Sequence, residues 1–169
     1  SAKEVMKDYF GFTVSSDDDD KIMSSFKSRA KDKVEVYDDI LVEYRINPKY
    51  PCKRLMEEAR KRLAEILDIN EPTEFFKTVD KKRDDLLDDA EDTAPVFDFF
   101  KGDQRKIFEE AVKNLAYFGN SKTYVSDQEL LKVVEEIETI VKDSKPFGKI
   151  QRLPELNKRF EELHIGLLE

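Results

Sequence analysis

The densest group of side chains able to do chemistry is Asp84-Asp85-Leu86-Leu87-Asp88-Asp89, with Asp92 just beyond it. On a helix Asp85, Asp88, Asp89 and Asp92 fall on one face, and such a carboxylate array could hold Mg²⁺ for a diphosphate substrate. The preceding Lys81, Lys82 and Arg83 favour a plainer reading, a solvated acidic face. Glu161-Glu162-Leu163-His164 contains E-x-x-H, the spacing that sets a carboxylate and an imidazole on one metal in di-iron bundles. His164 is the sole histidine, so only a symmetric dimer could complete that site, and a surface or interface histidine is the better reading. Cys52, directly after Pro51 at a predicted helix start, is the sole thiol; it reads as structural and semi-buried.

Lys53, Arg54, Arg60, Lys61 and Arg62 form a basic patch opposed in sequence only by Glu57 and Glu58. Arg60 and Arg62 are its weak candidates for phosphate contact with nucleic acid. The patch lacks interleaved aromatics, and its spacing equally suits pairing with acidic faces of neighbouring helices. The aspartate array resembles the aspartate-rich helix of isoprenyl diphosphate synthases. Those enzymes carry a second acidic helix around a larger cavity, and Asp38-Asp39 is a poor substitute. No G-x-x-x-x-G-K-[ST], G-x-G-x-x-G or G-x-S-x-G occurs; Gly148-Lys149-Ile150 lacks both the upstream glycine and the hydroxyl residue of a phosphate loop. The expectation is a chain with no catalytic residues, no cofactor and no nucleotide hydrolysis by that route.

These residues must be positioned by helices. The chain has 169 residues, and 40% are charged against a usual ~25%. Thirty basic residues face 38 acidic ones, and twelve Phe with six Tyr supply core material, so a folded domain is expected. The net charge of −8 argues against general polyanion binding. One Cys excludes an internal disulfide framework, and no apolar run approaches the ~18 residues of a membrane span. No signal peptide opens the chain. The composition describes a soluble, acidic, helical module.

Ile22, Phe26, Ala30, Val34, Tyr37, Leu41 and Tyr44 recur at steps of three and four and predict one long helix. Asp17 to Asp20 lie in its first turn, and Pro48 and Pro51 stop it. A second helix runs through Leu55, Met56, Ala59, Leu63, Ile66 and Leu67. A third starts near Pro72 and carries Phe75, Phe76, Val79, Leu86 and Leu87 up to a break at Thr93-Ala94-Pro95. After Gly102-Asp103 comes a helix through Ile107, Phe108, Ala111, Leu115 and Phe118, then a loop at Gly119 to Ser121. Ser126 and Glu129 form a capping box before Leu130, Val133, Val134, Ile137, Ile140 and Val141. After a turn at Lys145-Pro146-Phe147-Gly148, a last helix runs from Pro154 through Leu156, Phe160, Leu163 and Leu167. Tyr9 to Val14 and Thr123 to Val125 are the least helical stretches. The fold class is all-α, an antiparallel array of about six helices in one body over residues 1–169, with a possible seam near residues 93–95. Ser1-Ala2 without an initiator Met, and an apolar stripe reaching Leu168, predict a fragment of a larger chain.

One passage carries a resemblance. Val96-Phe97-Asp98-Phe99-Phe100-Lys101-Gly102-Asp103-Gln104-Arg105-Lys106-Ile107-Phe108, together with Leu153-Pro154-Glu155-Leu156, resembles the large P-loop ATPase of BREX phage-defence systems, the BrxC/PglY family. The resemblance is best over about residues 75–169. It implies a helical region downstream of the nucleotide-binding core, working in the cytoplasm of a bacterium or archaeon. The companions it implies are a DNA methyltransferase and an alkaline-phosphatase-like protein. The region would relay ATPase movements or dock a companion. Phe97, Phe99 and Phe100 are the candidate anchors, although closing a core between helices is the more ordinary use of such a cluster.

Overall fold

The structure, a computed structural model, describes residues 2–121 and 127–168. Eight α-helices and no strand occur among the described residues: α1 (Ala2–Phe10), α2 (Asp19–Ile46), α3 (Lys53–Leu67), α4 (Pro72–Lys81), α5 (Arg83–Lys101), α6 (Gln104–Ser121), α7 (Gln128–Val141) and α8 (Leu153–Leu168). The all-α class stands. The helices group into two compact units, Ser1–Phe97 and Asp98–Glu169, and the division falls inside α5. Among the described residues no helix is long and apolar enough to cross a membrane.

In the first unit α2 is the long element, about 42 Å at 1.5 Å per residue. The Asp18 side chain caps it by accepting from the Asp20 amide, and Asp19 and Asp20 offset the positive end of its dipole. Its buried stripe is Ile22, Phe26, Ala30, Tyr37, Ile40 and Tyr44. Val34 and Leu41 sit at the edge, half-buried. Beyond Asn47 the two prolines deny the helix further amides, and Tyr44 Oη donates to the Pro51 carbonyl across the turn. Cys52 caps the start of α3 with its backbone but sits in the left-handed region (φ 69°), which costs a residue with a Cβ about 1 kcal/mol. From there α3 doubles back along α2, burying Met56, Ala59, Leu63 and Ile66.

Four expectations are corrected here. A first helix, α1, occupies part of the stretch expected to be least helical: Tyr9 and Phe10 belong to it, and irregular chain begins only past Gly11. Gly11 ends it at φ 64°, with its own amide on the Lys7 carbonyl, the bond of an αL stop, and the Phe12 amide reaches back to the Met6 carbonyl. The third helix is two, α4 and α5, separated at Lys82, whose amide closes back onto Thr78. Thr93-Ala94-Pro95 does not break α5. Pro95 removes the bond to the Glu91 carbonyl, but both residues are exposed, so solvent satisfies that oxygen. Gly119 to Ser121 is not a loop but the last turn of α6. Gly119 is exposed there, so its missing side chain costs the helix no packing.

In the second unit α6, α7 and α8 pack pairwise around a core that includes Phe108, Ala111, Leu130, Ile137, Ile150 and Leu153. Asp127 caps α7, accepting from the amides of Glu129 and Leu130. Ser126 of the expected capping box lies outside the described residues, as does Thr123 to Val125. Pro146, Phe147 and Gly148 turn the chain as expected, and the short 3₁₀ segment Ile150–Arg152 leads into α8.

Candidate functional site

The feature with most chemistry per residue lies inside the first unit, where α1, α2, α3 and α5 each contribute one or two polar side chains. Asp89 on α5 is buried, and Arg62 on α3 grips it with two parallel bonds, Nε to Oδ2 at 2.7 Å and Nη2 to Oδ1. One turn further along α5, Thr93 Oγ1 donates to the Asp89 carbonyl at 2.6 Å. Tyr37 Oη of α2 lies 3.3 Å from Thr93 Oγ1, and Tyr9 Oη of α1 lies 2.7 Å from Tyr37 Oη.

The proton inventory orients this chain. A hydroxyl has one hydrogen to give. Thr93 spends its hydrogen on the Asp89 carbonyl, so Tyr37 must donate to Thr93, and Tyr9 must therefore donate to Tyr37. The direction is single: α1 to α2 to α5. Burial pushes both phenols above the usual tyrosine range, Tyr9 the further. The adjacent Tyr37 and the Asp89 carboxylate push Tyr9 further, while hydrogen bonds to Thr93 and Tyr9 partly offset the rise at Tyr37. Arg62 is held above its ordinary value, first by its hydrogen bond to Asp89. Neutral tyrosines and one closed ion pair make a brace, with no group poised for acid–base work.

The residues singled out from sequence are dispersed by this arrangement. Asp89 points inward and its carboxylate is occupied by Arg62, whereas Asp85, Asp88 and Asp92 are exposed. Among the described residues no three His, Cys, Asp or Glu side chains converge as a metal site. The basic patch is largely self-paired: Lys53 with Glu57, Arg54 with Glu58, Arg60 with Asp38 (Nε to Oδ1, 2.6 Å) and Arg62 with Asp89. Phe97 is buried against Tyr37, ring centroids 5.2 Å apart, with Lys33 Nζ 4.3 Å above it. Phe99 is wholly buried, meeting Phe100, Phe108 and Phe147 edge-on, and Phe100 is half-buried. Phe97 and Phe99 thus face their own units, Phe97 through a tilted contact with Tyr37 and Phe99 through edge-to-face rings. His164 stacks on Phe160 at 5.2 Å, while Glu161 is exposed. Cys52 is half-buried.

Tyr9, Thr93 and the brace as a whole were missed in the sequence. The available signal was Tyr37, a phenol in the middle of an otherwise apolar stripe, since a buried hydroxyl demands a partner.

The family model described as "BREX ATP-binding protein BrxC alpha helical domain" matches residues 1–122. The match takes in the first 74 residues as well as the Val96 to Phe108 passage, and it ends before Leu153-Pro154-Glu155-Leu156, the other segment on which the resemblance rested. No solved structure matches the chain. With most of its residues inside that model, and with the brace helices α1, α2, α3 and α5 all among them, the chain belongs to the family of the BREX ATP-binding protein BrxC alpha helical domain.

Proposed function

We propose that this chain is a non-catalytic interaction and relay module of a large phage-defence ATPase, working in the cytoplasm. The observation that carries the reading is the family match over residues 1–122 to a helical domain of an ATP-binding protein, in a chain whose sequence has no phosphate loop. Nucleotide chemistry then belongs elsewhere in the parent protein. The self-paired charges agree with a rigid transmitting body, since guanidinium groups tied to carboxylates are poor phosphate ligands. The partners are the rest of its own chain or companions in the defence complex, a DNA methyltransferase and an alkaline-phosphatase-like protein.

Affinity capture tests the docking part. This chain, immobilised and offered a lysate of cells that carry the defence system, is expected to retain the methyltransferase or the phosphatase-like protein, identified by mass spectrometry. Recovery of neither above a denatured-bait control sinks the docking of companions.

A further inference from the structure

Among the described residues four large apolar side chains are exposed, and three of them sit on α2: Val36, Val42 and Ile46, at 37%, 47% and 74%. At about 3.6 residues per turn they share a sector of about 120° with Asp32, Glu35 and Asp39, outside the buried stripe of the helix. The strip runs about 21 Å along α2 at 1.5 Å per residue. Asp32, Glu35 and Asp39 are exposed and form no ion pair among the described residues, unlike Asp38, which Arg60 of α3 holds. Neither helix formation nor the core accounts for the three aliphatic residues. Branching at Cβ makes each a poorer helix former than alanine, and at such exposure burial within the unit returns little.

We propose that this strip is the docking face for a basic amphipathic helix of a protein partner. Apolar residues of that helix cover Val36, Val42 and Ile46, and its Lys or Arg side chains reach Asp32, Glu35 and Asp39. The charges select the occupant. Carboxylates repel the phosphates of nucleic acids and of anionic lipid headgroups. A second copy laid antiparallel on the strip sets Asp39 against Asp39, and a parallel one sets every carboxylate against its twin. A cationic helix answers both halves of the pattern, its stems lying along the aliphatic side chains while its charged ends meet the acids. This inference rests on the docking reading and gives that partner its chemistry.

The probe is a fluorescent synthetic peptide, a helix with leucines on one face and lysines flanking them, titrated with the whole chain and followed by anisotropy. Saturable binding is expected, and none for the same peptide with glutamates in place of the lysines. Val42→Ala combined with Ile46→Ala should weaken binding about tenfold or more. The urea midpoint of that variant alone should hold or rise, because the fold does not use these side chains. Asp39→Lys should weaken binding about tenfold, and Glu135→Lys, the same charge change at an exposed site on α7, less than about twofold. Absence of saturable binding overturns the proposal, and so does equal weakening by the two lysine variants, which marks attraction to net charge alone. A dimer in sedimentation that the alanine pair abolishes also overturns it, since the occupant is then a second copy. Capture of a companion that survives the alanine pair overturns the strip and leaves the docking reading intact. Peptide binding without any captured companion upholds the strip and fails only the named companions.

Discussion

The two units solve the same packing problem differently. The first joins four of its helices by oriented polar bonds buried among tyrosines, from Tyr9 to Arg62. The second joins its helices by apolar contact: α7 buries Leu130, Val133, Val134, Ile137 and Ile140, and three phenylalanines close around Phe99. Among the described residues its inner polar link is a short one, Asn114 donating to Asn157 at 3.2 Å and Asn157 to the Ile107 carbonyl at 3.4 Å. Apolar contact holds helices without dictating a partner atom, whereas a hydrogen bond fails abruptly once its geometry is lost. The first unit therefore adds a response to single polar changes to its apolar core, whereas the second responds chiefly to changes of volume.

The largest expected effect belongs to the second unit. Phe99→Ala should lower stability by about 3–5 kcal/mol in urea denaturation, because a fully buried ring leaves a cavity that its aromatic neighbours cannot fill. A smaller loss from Phe99→Ala than from Arg62→Ala would invert the comparison. Arg62→Ala should cost about 2–3 kcal/mol, less than a wholly buried pair because the guanidinium side chain is 35% exposed. Asp89→Asn should cost less, about 1–2 kcal/mol, since the guanidinium left behind can turn to solvent.

Next come the hydroxyls. Tyr37→Phe strips Tyr9 of its acceptor and Thr93 of its donor, for a loss of about 1–2 kcal/mol. Adding Tyr9→Phe to it should cost almost nothing more, since the orphaned donor goes with it; simple additivity in a double-mutant cycle would refute the assigned direction. The raised phenols also set a pH dependence. Their folded values lie above the unfolded value of about 10, so below pH 10 they leave stability unchanged. Above it the unfolded chain ionises first, and each buried tyrosine should remove about 1 kcal/mol per pH unit. Alkaline melts of Tyr9→Phe should show a shallower decline than the native chain. The smallest effect is at Cys52, where glycine relieves the left-handed backbone and should raise stability by about 1 kcal/mol or less, read as a higher urea midpoint.

The sequence made α2 legible because its stripe is long and its stops are prolines. It hid α1, where Lys3, Glu4, Lys7 and Asp8 crowd a nine-residue helix, though Gly11 marked the end. It hid the α4–α5 boundary because Lys81-Lys82-Arg83 contains no breaker. Pro95 and Gly119 misled in the opposite sense, as breakers lying on exposed helix faces where their cost is small. Arg62 and Asp89 were each visible, but as members of separate charge runs. Their union across 27 residues depends on how α3 and α5 pack, which local spacing does not encode.

The charge pairs between helices of the first unit also act as an address. Exposed pairs contribute little energy, but a wrongly seated helix would set like charges together. Along α3, Arg60 meets Asp38 on α2, Arg62 meets Asp89 on α5, and Glu65 meets Lys82 between α4 and α5. Three neighbours are named by three side chains within two turns. A helix so labelled has one seat, and a chain this rich in charge can hold a unique arrangement while its apolar content stays low.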